Sequence, residues 1–382
     1  MRACTTVPSR TSMTGMISIA RNTYHVTNIS SNMRTAVGWD IGGVHLKAAR
    51  AHDGRVVDAV QIASPLRLGV DALVQAFAQA LARMGTPDCH VVTMTGELAD
   101  TFESRARGVE TLAALAAREL KGAPVMIYAG PHGLVPPERA GAHVREVASA
   151  NWHASAALVG LACRAALFAD MGSTTTDLVP VIGGAVAARA YTDAERLAAG
   201  ELVYTGLVRT PLMAVARRVF FGGRMMPLIN ENFATTADVY RALGTLPDGV
   251  DQMATADGRA KTREASCARL ARMVGCDEAD ADAATWTALA QFFAEAQIGA
   301  ICDAAMLVLS QNTMPAEAPI VGSGIGEMVL REVARRLTRT YVGFDTLISV
   351  EPSARAAALQ CAPAAALAVI FSKGSICAGS KR

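Results

Sequence analysis

The chain contains one strand–turn–strand–hairpin unit twice, and this repeat constrains the fold more than any other feature of the sequence. In each copy an apolar run leads to an acid, a turn of small residues, a second strand-like run and a glycine hairpin. The acids are Asp40 and Asp170, and the hairpin glycines are Gly54 and Gly184. Both pairs are 130 residues apart. A unit that returns at one fixed spacing predicts an internal duplication.

The two turns carry residues that suit a phosphate ligand. They read Asp40-Ile41-Gly42-Gly43 and Asp170-Met171-Gly172-Ser173-Thr174. Because glycine has no Cβ, the N–H groups of such a turn can point at phosphate oxygens, and an acid beside them can hold Mg²⁺ through water. Two such hairpins facing across a cleft would clamp a polyphosphate from both sides. The alternative is a pair of ordinary hairpins with glycine turns, and the matched spacing favours the phosphate site.

The composition argues against several classes of partner. The 382 residues are 51% hydrophobic, which is enough for two domains with their own cores. The net charge is only +2 and no basic run is interleaved with aromatics, so we expect no nucleic-acid partner. No apolar stretch is identified as long enough for a membrane span, so we expect no membrane partner. Eight scattered cysteines without a Cys-x-x-Cys pair indicate the reduced thiols of a cytoplasmic protein.

The order of predicted elements divides the chain into four parts. Residues 1–33 lack acids and a continuous apolar core, so we expect a disordered extension, although a transit peptide also fits their composition. Residues 34–165 follow the order βββαβαβ, which predicts an α/β lobe that opens with an antiparallel meander. Residues 166–350 are predicted to form a second α/β lobe, with a mainly helical insert at about 222–295 and a strand at 341–349. Residues 351–382 contain a last alanine-rich helix, expected at 354–371.

A third glycine turn, Gly322-Ser323-Gly324, follows a predicted strand and opens a helix. The N-terminus of that helix could meet an anion or a ribose. A dinucleotide-binding fingerprint is the alternative reading. The spacing continues as Gly-x-Gly-x-Gly and no βαβαβ series follows, so the sequence disfavours it.

Together the three turns resemble the phosphate and adenosine motifs of the actin, Hsp70 and sugar-kinase superfamily. The turn at Asp40 is similar to its first phosphate motif, the turn at Asp170 to its second, and Gly322-Ser323-Gly324 to its adenosine motif. The resemblance implies an α/β fold with two ribonuclease-H-like lobes around a cleft. It also implies that the helical insert belongs to the second lobe and that the C-terminal helix returns to the first.

Three longer runs resemble a narrower group. Residues 200–211 are similar to a run of the hydantoinase A/oxoprolinase-like branch. Residues 232–240 and 255–259 resemble tetrahydromethanopterin-linked C1-transfer pathway proteins, which are related to an archaeal synthase of methanofuran biosynthesis. These runs are long and specific, so they define the family better than the short motifs do.

The resemblance implies a transferase of methanofuran or methylofuran biosynthesis. Its small-molecule substrates would be an (aminomethyl)furanylmethyl diphosphate and the phenol oxygen of a tyramine-type acceptor, joined as an ether with release of pyrophosphate. Asp40 and Asp170 would hold Mg²⁺ against the leaving diphosphate. The residues expected to bind the diphosphate, or a nucleotide, are Gly42, Gly43, Gly172, Ser173, Thr174, Gly322, Ser323 and Gly324. ATP is not expected in this reading, although the sequence leaves its binding open.

Other functions remain open at this point. The nucleotide-like motifs alone favour an ATP-dependent small-molecule kinase or a hydantoinase/oxoprolinase-type hydrolase. A non-catalytic nucleotide sensor that signals through lobe closure is a third reading. A homo-oligomer is compatible with all three.

Besides Asp40 and Asp170, two acids are candidates for catalysis, because the phenol requires a base. Glu97 follows a predicted strand end, and Asp177 occupies the repeat position of Lys47. Each could equally be a solvated surface acid. Lys47 itself could meet the diphosphate, or point outward from its strand.

Four further residues are candidates for substrate binding. His132 and His153 could move protons at neutral pH, although a position at a helix start also suits His153 for packing. Arg209 and Arg259 lie in the family-like runs and could meet an acidic acceptor. A single arginine of this kind is otherwise a solvated surface residue.

Overall fold

The computed structural model describes residues 34–311 and 313–373, so the predicted extension at 1–33 lies outside the described residues. The described strands are β1 (Thr35–Ile41), β2 (His45–His52), β3 (Arg55–Ala63), β4 (Cys89–Met94), β5 (Val125–Tyr128), β6 (Leu134–Val135), β7 (Ala165–Met171), β8 (Thr176–Ile182), β9 (Ala185–Val186), β10 (Leu202–Val203), β11 (Arg218–Phe221), β12 (Arg224–Pro227), β13 (Ile320–Ser323), β14 (Tyr341–Gly343) and β15 (Ser349–Val350). The described helices are α1 (Asp71–Met84), α2 (Arg105–Glu119), α3 (Val144–Val147), α4 (Asn151–Ala162), α5 (Asp193–Ala199), α6 (Leu212–Val215), α7 (Thr236–Ala242), α8 (Arg263–Met273), α9 (Ala283–Gln311), α10 (Glu327–Arg336), α11 (Arg355–Gln360) and α12 (Ala362–Ser372).

The two copies of the repeat form the centres of two sheets, and equivalent strands of the repeat occupy equivalent positions in them. The first sheet runs β15-β3-β2-β1-β4-β5-β6, and the second runs β10-β8-β7-β13-β14 with β9 also paired to β8. In both, the first strand of the repeat pairs antiparallel with the second and parallel with a later strand. The registers coincide, because Asp40 lies opposite Lys47 as Asp170 lies opposite Asp177. The predicted fold, two ribonuclease-H-like lobes with a helical insert in the second, is confirmed.

The first lobe folds because its central strands are apolar on both faces. Every residue of β4 is buried, and in β1 only Thr35 is not fully buried. Strands covered on both sides have this composition. One face packs under α1 and α2, where Trp39 and Phe77 make a tilted ring contact of 5.5 Å. Helix α2 begins at Arg105, since the Ser104 side chain caps it by accepting from the N–H of Arg107.

The insert is not helical throughout. It opens with the β11–β12 hairpin, whose turn places Gly222 and Gly223 at positive φ. Helices α7, α8 and α9 follow, and α9 runs on to Gln311, beyond the predicted end near 295. A glycine pair can occupy both left-handed positions of a tight hairpin without strain, which explains the two strands.

Helix α9 corrects the expectation that no apolar stretch of the chain is long enough for a membrane span. By length and composition alone, α9 is long and apolar enough to cross a membrane, and the bent pair formed by 352–360 and 362–372 passes the same test if counted as one span. In the structure one side of α9 is buried in the second lobe, with Trp286, Phe293 and Ile301 in its core. The core helix of a globular lobe has the same composition.

The C-terminal segment joins the lobes. The strand predicted at 341–349 is two strands, because β14 belongs to the second sheet and β15 pairs with β3 of the first. The chain therefore re-enters the first lobe before the predicted boundary at residue 351. The predicted last helix is also broken, since α11 and α12 meet at Cys361 with a bend of 118°.

Helix α12 lies in a core shared by both lobes. All eleven of its residues are buried, as expected for a helix that is apolar on every side. Together with α4 it packs between the sheets, in one cluster that includes Ala36 from the first sheet and Phe168 from the second. The approach to β1 is closest at Gly38, where a Cβ would lie 2.0 Å from the carbonyl oxygen of Ala364. Only glycine fits there without moving backbone.

We expect Gly38→Ala to destabilise the protein by at least about 1–3 kcal/mol, because the added methyl group overpacks a backbone contact. Chemical denaturation measures this loss directly. Gly299→Ala is the control, since Gly299 lies within α9 and a Cβ there meets nothing within 4 Å. That change should be neutral or stabilising by up to about 1 kcal/mol. Equal effects of the two substitutions would contradict the packing argument.

Candidate functional site

The first turn places a buried carboxylate beside a lysine. The N–H of Gly42 donates to the carbonyl of His45 at 2.9 Å and closes the turn. Asp40 is only 2% exposed, and its Oδ2 lies 3.7 Å from Nζ of Lys47. Its Oδ1 has no hydrogen-bond partner among the described residues. Burial raises the pKa of Asp40, and the charge of Lys47 partly opposes this rise. Lys47 therefore faces the same side of the sheet as Asp40.

The second turn repeats this geometry and faces the first. The N–H of Gly172 donates to the carbonyl of Thr175 at 2.9 Å. This hydrogen bond is equivalent to the one between Gly42 and His45 in the first copy of the repeat. The pKa of Asp170 is raised to about 7, first by burial and then by the negative charges of Asp177 and Asp40. Lys47 lowers it. Because Asp40 and Lys47 of the first lobe act on Asp170 of the second, the two turns lie within electrostatic range of each other.

The two aspartates fit a divalent cation. Asp40 offers a buried carboxylate oxygen without a partner, and the charge of Asp40 disfavours ionisation of Asp170. A bound cation would offset both costs. Carboxylate oxygens are the ligands that Mg²⁺ takes in proteins, usually one or two of them with water completing the shell. Asp40 and Asp170 are therefore the residues that would hold the ion.

The third glycine turn meets the second. Ser323 pairs with Asp170 in the parallel register of β13 and β7. Gly324 has φ +88°, and a Cβ there would lie 2.4 Å from Oδ1 of Asp170. Glycine is required both for this backbone conformation and for the close approach to the carboxylate. Gly322 is covered by Tyr341, whose hydroxyl oxygen would lie 2.2 Å from an added Cβ. The sequence reasoning did not identify Tyr341.

Glu97 is buried next to the first turn. Gly96 packs so closely on that turn that a Cβ would lie 3.2 Å from the carbonyl oxygen of Gly42. Glu97 is only 1% exposed, which rules out the alternative of a solvated loop acid. The Ser149 hydroxyl donates to its Oε1 at 2.8 Å, while Oε2 has no partner among the described residues. Burial raises the pKa of Glu97 to about 7.

Asp177 is an ion-pair partner rather than a free base. Its Oδ1 lies 2.8 Å from Nη1 of Arg196, which is itself only 2% exposed. The guanidinium of Arg196 stacks 3.9 Å from the centre of the Trp152 ring. The ion pair with Arg196 holds Asp177 in place. No sequence pattern pointed to Arg196.

His153 contributes to packing and does not reach a substrate. It is 2% exposed, and its Nδ1 lies 2.8 Å from the hydroxyl of Tyr128. Burial first, and then the charge of Arg196, lower its pKa to about 3. The other predicted histidine, His132, is exposed in a different loop beside Glu146. Neither of these contacts is with a residue of the phosphate-like turns.

The first family-like run wraps the second turn. The N–H of Leu207 donates to the carbonyl of Gly172 at 3.0 Å, and the N–H of Arg209 donates to that of Ser173 at 2.9 Å. Gly206 lies so near that a Cβ would be 2.5 Å from the Ser173 backbone. Gln297 of α9 holds this loop from below, donating to the carbonyl of Gly206 at 2.8 Å.

All three family-like runs meet at one cavity of about 220 Å³. Its lining residues are Val208, Arg209, Asn232, Thr235, Ala237, Asp238, Asp251, Met253, Ala254, Thr255 and Ala256. The side chain of Arg209 is exposed at this cavity, and its Nη1 lies 3.5 Å from Oγ1 of Thr174 in the second turn. Runs that are separate in sequence thus form one wall beside the phosphate-like turn.

A buried ion-pair network shapes that wall. Arg269 is fully buried and donates to Asp238 at 2.8 Å and to Asp257 at 3.0 Å. Arg259, predicted to contact substrate, is exposed and does not line the cavity, and its N–H donates to Asp257 at 3.0 Å. Residues 255–259 therefore contribute to the cavity wall by positioning Asp257. Sequence reasoning missed Arg269, since a charge within a helix is ordinarily solvated.

A model of the hydantoinase/oxoprolinase family matches residues 88–370. The chain belongs to this family. Over 191 residues it is 32% identical to the (4-{4-[2-(gamma-L-glutamylamino)ethyl]phenoxymethyl}furan-2-yl)methanamine synthase of Methanocaldococcus jannaschii, covering 50% of this chain and 57% of that one. The synthase of the same name from Methanococcus vannielii is 29% identical over 174 residues, covering 46% and 77%. The chain thus spans little more than half the length of the first relative.

A solved structure supports the fold alone. Nucleotide-free acetone carboxylase aligns with a TM-score of 0.50 at 10% identity, over 86% of this chain and 70% of that one. Membership of an enzyme family and the synthase names of the relatives support an enzymatic role for this chain.

We expect Glu97→Gln to gain stability relative to the parent protein as the pH rises from about 4.5 to 7. The pKa of Glu97 rises from 4.5 to about 7 on folding, so its ionisation opposes folding above that range and costs nothing below it. One pKa unit corresponds to about 1.4 kcal/mol, so the relative gain should reach about 3 kcal/mol at most.

Denaturation curves at several pH values measure this gain. Exposed Glu138→Gln is the control and should show no such pH-dependent change. A difference between Glu97→Gln and the parent that stays constant from pH 4.5 to 8 would contradict the burial argument.

Proposed function

We propose that the protein joins an (aminomethyl)furanylmethyl diphosphate to the phenol oxygen of a tyramine-type acceptor and releases pyrophosphate. The reaction breaks the bond between the furfuryl carbon and the diphosphate oxygen. It forms an ether bond from the phenol oxygen to that carbon, and the phenolic proton passes to a base. The product would be of the phenoxymethyl-furan-methanamine type that names the relatives.

One observation carries this proposal. The two facing aspartate turns adjoin a cavity whose wall is built from the runs that resemble the methanofuran-linked family. The turns suit a diphosphate, and the cavity offers a separate place for an acceptor. A protein that only bound a nucleotide would need the aspartate turns but not the adjoining cavity.

The turns and Lys47 would bind and orient the diphosphate. The N–H groups of Gly42 and Gly172 close their turns. The next residue of the first turn, Gly43, has open space where a Cβ would stand, which would leave room there for phosphate oxygens. Lys47 lies 3.7 Å from Asp40 and its charge acts on Asp170 of the opposite turn, so it would also stabilise the leaving group. Mg²⁺ held by Asp40 and Asp170 would neutralise the charge that develops on the departing pyrophosphate.

Glu97 is the proposed base. A carboxylate with a pKa near 7 is well matched to removing a proton at neutral pH. Its Oε2 is not engaged by any described residue, while Ser149 orients the other oxygen. Its burial beside the first turn would also keep the reacting furfuryl carbon away from water.

We expect Mg²⁺-dependent and acceptor-dependent release of pyrophosphate without ATP. The full chain is mixed with the furanylmethyl diphosphate and a panel of tyramine-type acceptors, and pyrophosphate and ether product are both measured. Asp40→Asn and Asp170→Asn should each lower kcat at least about 100-fold, because each removes charge that holds the metal. Exposed Asp71→Asn should retain full activity.

Turnover that appears only when ATP is added would overturn the transferase. It would favour the second candidate, an ATP-dependent kinase or hydrolase, which the actin-like fold supports by itself. ATP hydrolysis without any acceptor would instead favour a nucleotide sensor.

We expect a bulky residue in the cavity to weaken acceptor binding selectively. Ala256→Phe would fill space in the cavity wall, so the KM for the acceptor should rise about tenfold or more, while the KM for the diphosphate changes little. Ala284→Phe, on the exposed start of α9, is the matched control. Steady-state kinetics with each substrate varied in turn makes the comparison. If the KM for the diphosphate rises equally, the cavity is not a separate acceptor site.

A further inference from the structure

Two histidines and a glutamate converge on the first lobe, away from the facing turns. The residues are His132, His143 and Glu146, and their nearest ligand atoms all lie within 4.8 Å of one another. Nε2 of His132 is 3.9 Å from Oε1 of Glu146. The rings of His132 and His143 are 5.1 Å apart, centre to centre. None of the reaction steps proposed above uses these groups.

Local backbone geometry holds the three side chains together. His132 lies in a tight turn that is flanked by Gly130 and Gly133, both at positive φ. The N–H of Ala129 donates to the carbonyl of Gly133 at 2.8 Å and closes this turn. His143 and Glu146 are three residues apart at the start of α3, a spacing that places them on one side of a helical turn.

The imidazoles are available as ligands. Within residues 34–311 and 313–373, neither His132 nor His143 makes a hydrogen bond through its ring. Glu146 is partly buried, and the neighbouring Arg145 does not compete for it, because Arg145 pairs with Glu195 at 2.8 Å. The nearest charged partner of the Glu146 carboxylate is thus His132 of the cluster itself, and the three side chains together carry the charge and the donors that a cation requires.

We propose that His132, His143 and Glu146 bind a divalent transition-metal ion. Two imidazole nitrogens and a carboxylate oxygen suit Zn²⁺, Co²⁺ or Ni²⁺ and not Mg²⁺, which prefers oxygen ligands. Metal–ligand distances are about 2.0–2.2 Å. To reach one ion, the three ligand atoms would have to move about 1 Å closer to one another than in this structure. The half-exposed side chain of His132 permits this movement. Three protein ligands leave a position open for water or another ligand.

The site has a direct link to Glu97. Glu146 lies three residues before Ser149, whose hydroxyl donates to Glu97. The intervening residues form the end of α3 and a bridge between Ala148 and Met94 at the end of β4. Metal binding at Glu146 would therefore stiffen the segment that orients Glu97.

The test uses the untagged full chain, stripped of metal. Zn²⁺ is titrated by calorimetry and Co²⁺ by its visible absorption, and we expect one ion per chain. His143→Ala and His132→Ala should each weaken binding at least about tenfold, and Glu146→Gln should do the same with almost no change of shape. If a histidine variant fails to fold, the glutamine variant still decides the question.

His52→Ala is the matched control. His52 is as exposed as His132, and its Nε2 lies 3.3 Å from Asp53, but among the residues that the structure describes no third ligand accompanies this pair. Binding that is unchanged in His52→Ala and lost in the cluster variants supports the proposal. Binding that survives in His132→Ala and His143→Ala, or that falls equally in His52→Ala, overturns it.

The result is independent of the proposed transferase. Asp40→Asn and Asp170→Asn should bind Co²⁺ as the parent protein does, because they do not touch the cluster. Loss of Co²⁺ absorption in those variants would place the ion between the turns and overturn the proposal. Failure of the transferase assay would leave the metal titration unaffected.

Discussion

The structure depends on the cost of holding like charges close together where they are buried or half-buried. Asp40 and Asp170 act on each other across the cleft, with Asp177 adding a third negative charge and Lys47 the nearest compensating one. Such an arrangement is unfavourable by itself, since desolvation and repulsion both oppose ionisation. In the proposed function, a cation and a phosphate oxygen between the two carboxylates would offset this cost.

The packing behind the turns offsets this electrostatic cost. Helices α4 and α12 fill the space between the two sheets with a continuous apolar core. On the surface, ion pairs between Arg105 and Asp193 and between Arg145 and Glu195 connect the same two lobes. Exposed ion pairs contribute little free energy, so the buried helices must supply most of the stability that holds the turns opposite each other.

The repeat was predictable because it is local. Strand, turn and hairpin signals lie within a few residues, and their spacing placed Asp177 at the repeat position of Lys47, which agrees with the matching registers of the two sheets. Glu97 was predictable as a candidate from its position after a strand, but its burial was not. Arg196 could not be found, because only the folded chain brings it under Trp152 and against Asp177. For His153, the packing role that its position at a helix start also suited agrees with its burial, but the sequence does not reveal that Tyr128 contacts it.

The insert explains how one fold can serve different chemistry. The loop at 206–210 bonds to the second turn on one side and is held on the other by Gln297 of α9. Arg209 belongs to this loop and lies beside both Thr174 and the cavity, so a ligand in the cavity would contact the same loop that supports the second turn. In the proposed function the turns would hold the phosphate group, and the insert would select the second molecule. That selection depends on long-range packing, which short motifs do not encode.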